Sequence, residues 1–378
     1  SKSGGGIFRK VLVALQYATS ITLIVATLII TDQMNYMGQK DLGFDKEQVV
    51  YIPLDYRIAT KYGGLLYDEI AKESGVVAAS LTGNSLADGA LATNGILVDN
   101  AESQMLQILA VDDDFKETLG LEIKDGRWFS AAYETDRAEG FVVNEAFVKH
   151  FGLDEPIGSV VSRNGQEGKI LGVVKDYHFK SMHNAIEPLV MYENERDQFG
   201  YWNIAVRLAP NSTGQALDQL EEVWSRIIPD YPFNYHFLDE KIDQYYKSDQ
   251  DFAIVFKVFS SIAIVVSCLG LIGLVAFTTQ RRAKEIGVRK VLGASIGTIL
   301  TLLSKDYLKL ILLAASVAIP VAYYAMNSWL ENFEYRIGIK VHVFVLGLLI
   351  TLVLSWLSVS YLSFRAAKSN PVDSLRSE

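Results

Sequence analysis

The chain has 378 residues, half of them apolar, and a single cysteine, Cys268. Its length allows two or more domains, and its apolar share is high for an ordinary soluble protein. One cysteine excludes an intrachain disulfide, so any exported domain must rest on its own core, and the net charge of −9 is an average over two unlike parts.

Arg9 and Lys10 lead into Val11 to Thr31, an uninterrupted apolar run. A helix needs roughly 20 such residues, at about 1.5 Å rise each, to cross a hydrocarbon core. The run is too long for the apolar part of a signal peptide, and "TDQMNYMGQKD" offers no small-residue cleavage site, so it reads as a retained span.

The next 220 or so residues alternate strand and helix signals. "VVYIP" (Val49 to Pro53), "GILVDN" (Gly95 to Asn100), "KILGVVKDYHF" (Lys169 to Phe179) and "YWNIAVRL" (Tyr201 to Leu208) read as strands. "STGQALDQLEEVWSRIIP" reads as a helix capped near Ser212 or Thr213, with Leu217, Leu220, Trp224 and Ile227 on one face. Between them, residues 111–165 suggest a sub-lobe: a short helix, a turn at Asp125 and Gly126, then a strand running into a helix with Phe147 and Phe151 at i,i+4.

Three further spans follow, Val258 to Thr279, Leu308 to Met326 and Val341 to Phe364. Neither Pro nor Gly interrupts Asp243 to Leu269, so spans 1 and 2 are expected to continue outward as a stalk, with Lys257 snorkelling near the outer surface. "SIGTILTLLSKDYLKL" carries Lys305, Asp306 and Lys309 and predicts a short interfacial helix ahead of span 3. The short 3–4 connection holds Trp329 and Tyr335, which suit an aromatic belt.

Positive charge gathers before span 1, after span 2 and after span 4, which places both termini and the 2–3 loop in the cytoplasm. Residues 33–251 hold 37 acidic and 19 basic side chains, a net of −18, and the remainder carries +9. The fold expected is therefore an α-helical membrane protein with four transmembrane helices and a large α/β extracytoplasmic domain inserted between helices 1 and 2. Its divisions are 1–40, 41–245 and 246–378. A cell inner membrane of a bacterium is the expected setting, with membrane lipids around the spans and no nucleic-acid partner.

Catalytic and ligand motifs are sparse. "GQEGKI" lacks the spacing and the hydroxyl of a P-loop, so ATP hydrolysis is assigned to another chain. His150, His178, His183, His236 and His342 form no ligand spacing. Asp112 to Asp114 read as an N-cap for "FKETLG" rather than a Ca²⁺ loop. The span centres hold no ionisable side chain, which argues against a proton-coupled transporter or an ion channel and for a mechanical element. No nucleophile, base and orienter can be assembled, so the chain is not expected to be an enzyme and should bind no metal or cofactor itself.

The densest charge run is "RRAKEIGVRKVLGAS", directly after span 2. A topogenic anchor needs only Lys and Arg in any order, whereas here Glu285 and Arg289 stand at i,i+4, Ile286 and Val288 add apolar surface, and Gly293 and Ser295 punctuate a helix, turn, helix. This segment resembles the cytoplasmic one between transmembrane helices 2 and 3 of MacB/FtsX-type ABC transporter permeases, with Glu285, Ile286, Gly287, Arg289, Gly293 and Ala294 in the matching positions. The C-terminal Asn370, Pro371, Asp373, Leu375 and Arg376 are similar to that family's ending. "VDDDFKETLGLEIKDGRWFS", "VVNEAFVKHFG", "PIGSVV" and "ILGVVKDYHFKSMHNAIEPLVM" resemble its MacB-like periplasmic core.

The resemblance implies a permease subunit whose coupling helix, with Arg281, Arg282, Lys284 and Lys290 among its residues, docks cytoplasmic ATPase subunits that hold ATP and Mg. It implies a second permease unit as partner and a periplasmic adaptor or outer-membrane protein beyond. It also resembles the C-terminal half of duplicated permeases of Bacteroidetes-type bacteria, and the missing initial Met reads as part of a longer polypeptide. Mechanotransmission driving efflux or lipoprotein and envelope export is the implied function. The rival is a membrane-anchored extracytoplasmic sensor or scaffold without a transport role.

Overall fold

The structure is a computed structural model that describes residues 4–86, 91–99, 102–194, 200–281, 288, 289, 292 and 296–368. The chain divides into two units, one of Ser1–Gln39 with Asp249–Glu378 and the other of Lys40–Ser248.

Helix α1 covers Gly4–Gln39. In the second unit, β1 (Val49–Pro53), α2 (Tyr56–Ile70) and β2 (Val76–Thr82) are followed, after a long insertion, by β10 (Asn203–Leu208), α6 (Thr213–Ile227) and β11 (His236–Phe237), with α7 (Leu238–Tyr245) behind. These strands form an antiparallel sheet in the order β11-β1-β10-β2. A β-α-β-β-α-β path with that order is the split βαβ, ferredoxin-like arrangement. Alternation along β1 divides its side chains between two cores: Val50 and Ile52 join Leu66 and Trp224 of α2 and α6, while Val49 and Tyr51 join Phe115, Tyr177 and Leu238.

The insertion holds β3 (Ala92–Val98), β4 (Gln104–Ala110), α3 (Phe115–Leu119), β5 (Ile123–Gly126), α4 (Thr135–Glu139), β6 (Gly140–Asn144), α5 (Glu145–Phe151), β7 (Val160–Arg163), β8 (Gln166–Val174) and β9 (Leu189–Tyr192). The sheet runs β5-β8-β6-β9-β4-β3-β7, and β7 then pairs back onto β8. The first half of β8 pairs with β7 and its second half with β5, so the ring closes into a small barrel. Closure removes the exposed edges that an open sheet of this size would carry. Ile96, Ile108, Val143, Val161, Ile170 and Val190 fill it.

This corrects the expected sub-lobe at 111–165. Its strands share one ring with β3, β4, β8 and β9, so the structural piece begins at Ala92 and ends at Tyr192. Two local expectations also change. Ser212 precedes α6, but its hydroxyl donates back to Ala209 O at 3.1 Å and caps nothing. The strand at Lys169 ends at Val174, and Lys175 to Phe179 leave the sheet.

The first unit is completed by α8 (Lys247–Arg281), α9 (Ile296–Leu330) and α10 (Val341–Lys368). Among the described residues four helices are long and apolar enough to cross a membrane. With 36 residues in α1 and 35 in α8, each runs to about 50 Å at 1.5 Å per residue, against a hydrocarbon core of about 30 Å. On α1, Tyr17, Ile21, Val25 and Ile29 recur every fourth residue and pack with Ile311, Ala314, Ala315, Ala318 and Ala322 of α9. Alanines at that seam let the two backbones approach closely, which is the main source of packing energy where lipid replaces water.

The interfacial helix expected before span 3 is not separate, since α9 is one helix across Lys305, Asp306, Lys309 and Pro320. Three charged side chains do not break a helix, and no residue from Thr298 to Ile319 is Gly or Pro.

Candidate transmission site

Most of the expected coupling helix lies outside the described residues: Arg282 to Gly287, Lys290, Gly293 and Ala294, as do Asn370, Pro371, Asp373, Leu375 and Arg376. What is described is informative. Helix α8 continues unbroken to Arg281, the first residue of the segment. Val288 and Arg289 are helical, and Leu292 N donates to Val288 O at 3.0 Å, one helical turn. Val288 and Leu292, at i,i+4 and so on one face, are 52% and 80% exposed.

Above this segment α8 meets α1 through polar pairs set among apolar side chains. The hydroxyls of Ser20 and Ser267 lie 2.8 Å apart, and those of Thr27 and Ser260 2.7 Å apart, with Ser260 Oγ also donating to Leu23 O at 2.9 Å. The Gln16 side chain lies against Gly270, where an added Cβ would come within 2.3 Å of its Oε1. Nearer the basic end, the Arg9 guanidinium stacks 4.0 Å above the Phe277 ring. Each polar pair is worth about 0.6 kcal/mol in a membrane, so the seam sets register at little cost to movement.

The other side of α1 is held differently. Gln33 is fully buried, and its amide donates to Tyr335 O at 2.9 Å and accepts from Ile337 N at 2.9 Å. It thereby pins the α9–α10 connection, while Ser355 of α10 donates to the Tyr17 hydroxyl at 2.9 Å. Helices α1, α9 and α10 form one packed body.

These polar links were missed in the sequence, although a signal was present. Ser20 and Thr27 are seven apart, as are Ser260 and Ser267, which places each pair on one helix face and pairs them in antiparallel register.

In the α/β unit, Asp112 is buried at the junction of β2 with the barrel. Its carboxylate accepts from Leu81 N at 2.7 Å and Asp114 N at 3.2 Å, while Leu81 O accepts from Asp112 N. Burial pushes its carboxyl up to about 7, against the opposing pull of the Leu81 and Ser80 bonds. The expected N-cap is corrected accordingly. Asp114 occupies the cap position of α3 without a capping bond and accepts instead from the Tyr67 hydroxyl. The three carboxylates come within 4.8 Å of one another, and Asp112 and Asp114 are spent on the protein. His178 is buried, with its ring pushed down to about 4 by desolvation, and His183 Nδ1 meets Ser181 Oγ at 2.7 Å.

Residues 12–223 match the family model of the MacB-like periplasmic core domain, and residues 257–371 match that of the FtsX-like permease C-terminal region. The chain belongs to the MacB/FtsX-type ABC transporter permeases. The permease is 23% identical over 282 residues to an uncharacterized ABC transporter permease, YknZ of Bacillus subtilis, covering 71% of this chain and 69% of that one. It is 24% identical over 202 residues to the macrolide export ATP-binding/permease protein MacB of Bartonella quintana, covering 51% of this chain and 30% of that one. For MacB of Chromobacterium violaceum the identity is 20%, over 72% of this chain and 43% of that one. The permease thus spans less than half the length of either MacB protein. Among solved structures, the periplasmic region of MacB from Actinobacillus actinomycetemcomitans aligns at TM-score 0.42 with 14% identity, covering 53% of this chain and 94% of that one. A domain of a permease protein from Porphyromonas gingivalis aligns at TM-score 0.38 with 16% identity, covering 51% of this chain and 90% of that one. Members of this family are permease subunits of ABC transporters and are generally non-catalytic.

Proposed function

We propose that the permease is a mechanotransmission subunit: ATP hydrolysis on a separate cytoplasmic ATPase moves the segment after α8, and α8 carries that movement across the membrane to the α/β unit. ATP and Mg belong to the ATPase. The observation that carries this reading is the continuity of α8 as a single 35-residue helix that reaches Arg281, the start of the coupling segment in sequence. A lever needs a stiff arm, a contact at one end and a bearing that sets register weakly. The hydroxyl seam supplies the last.

The positive flanks support a topology with both termini and the 2–3 loop in the cytoplasm of a bacterial inner membrane and the acidic unit outside. The working assembly pairs this chain with a second permease unit, and the output is efflux or lipoprotein and envelope export. A periplasmic adaptor or outer-membrane protein would complete an efflux path.

The test is affinity purification of the full chain from mild detergent, probing for a P-loop ATPase. Co-purification that is lost on Glu285→Lys or Arg289→Glu supports the reading. A chain that inserts normally and retains no ATPase favours the sensor or scaffold.

A further inference from the structure

We infer that α8 has a second register against α1, one helical turn towards its own C-terminus, in which Ser267 leaves Ser20 and pairs with Gln16. This goes beyond the transmission reading, to which it adds two resting positions for the lever, and it needs no ATPase.

The contacts on the page define one antiparallel register. Arg9 stands by Phe277, Gln16 by Gly270, Ser20 by Ser267 and Thr27 by Ser260. On both helices these positions recur at steps of seven and of three or four residues, the spacing at which two helices mesh along a common seam. The next position at which such a seam meshes is one turn away, a slide of about 5 Å.

Gln16 is the member of this register left unserved. Its Oε1 is buried with no hydrogen-bond partner among the described residues. It presses on Gly270, where an added Cβ would come within 2.3 Å of it. An unpaired amide oxygen is costly where no water reaches it. Ser267 stands on the same face of α8 one turn before Gly270, so a slide of α8 towards its C-terminus brings a hydroxyl donor level with Gln16. The opposite slide would bring Leu274 there instead.

The groups given up keep local partners. Thr27 Oγ1 already donates to Leu23 O at 2.8 Å. Ser20 comes opposite Ala263 and is free to turn to Gln16 O, the same i−4 bond that Thr19, Thr27 and Thr31 make on α1. What the slide loses is the stack of Phe252 on Trp329, with centroids 6.1 Å apart, near the start of α8. Each register gives up something that the other holds, so neither locks the helix.

The test is disulfide trapping in the full chain, in lipid and without ATPase, in a Cys268→Ser background. Ser20→Cys with Ala263→Cys reports the second register, and Thr27→Cys with Ala263→Cys reports an equal slide the other way. The first pair is expected to cross-link on mild oxidation at least tenfold faster than the second, and Gln16→Leu to slow it at least tenfold. Equal rates for the two pairs overturn the inference, as does a first pair that does not cross-link or is indifferent to Gln16→Leu. Comparing the two pairs needs no change at Gln16, so it stands even if Gln16→Leu fails to fold. Because no ATPase is present, failure here leaves the lever reading to its own test, and a chain that binds no ATPase leaves the two registers in place.

Discussion

The Ser20 and Ser267 hydroxyls, 247 residues apart in sequence, meet at 2.8 Å and tie the first membrane helix to the second. If α8 is the moving arm, this seam is where it must slide. In a Cys268→Ser background, Ser20→Cys with Ser267→Cys should cross-link on mild oxidation, seen as a reducible shift in mobility after cleavage of the 40–248 loop. The cross-linked chain is expected to lose coupled ATP hydrolysis and to regain it on reduction. Full activity while cross-linked would show that α1 and α8 do not move past one another there.

Gln33 makes the opposite kind of contact. Gln33→Leu removes the part-buried hydrogen bonds to Tyr335 O and from Ile337 N, each worth about 0.5–1.5 kcal/mol. Hydrogen exchange should show the Ile337 amide losing protection by tenfold or more, with the α/β unit unchanged. Unchanged protection at Ile337 would mean the clamp is dispensable.

Asp112 gives the α/β unit a pH dependence of definite sign. Its folded carboxyl is pushed up to about 7, against about 3.9 in an unfolded chain. Between these values the folded chain keeps a proton that the unfolded chain has released, so stability falls as pH rises through this window, by at most about 1.4 kcal/mol per unit. Thermal unfolding of the wild type against Asp112→Asn from pH 4 to 8 should show the gap moving in the variant's favour up to about 7 and then holding. Parallel curves would contradict the burial argument.

Gly126 ends β5 at a φ of +69°, and an added Cβ would lie 2.3 Å from Leu171 O. Gly126→Ala therefore meets both a left-handed backbone, costing about 1–2 kcal/mol, and a backbone clash. A fall in melting temperature of the α/β unit with insertion intact is expected, and an unchanged transition would show that β5 can detach from β8 freely.

Local patterns were readable in the sequence wherever the cause was local. Val49 to Pro53 alternates between two cores, and α6 starts and stops within a residue or two of its expected ends. The four spans were legible because continuous apolar runs of that length have few other uses. The barrel was not, because although Asn164-Gly165 marks the β7–β8 hairpin locally, closure depends on β3 pairing with β7 and on the parallel β4–β9 pairing, contacts between segments far apart in sequence. Asp112 was misjudged for a related reason. Its neighbours in sequence suggested a helix cap, while its hydrogen bond runs to Leu81 on another sheet. Of the charge run after α8 only Val288, Arg289 and Leu292 are described, and they add an exposed apolar pair that its charges had overshadowed.

The central claim is that an ATPase on another chain takes hold between residues 281 and 294 and drives α8. It is tested most directly by the ATP-hydrolysis rate of the chain reconstituted with its ATPase in lipid, wild type against Gly287→Pro. In the coupling helix expected from the sequence, proline would remove a hydrogen bond and add a clash costing about 3 kcal/mol or more. The account predicts normal insertion with ATPase stimulation abolished. Stimulation equal to wild type would contradict it, and loss of insertion alongside would return the segment to a purely topogenic role.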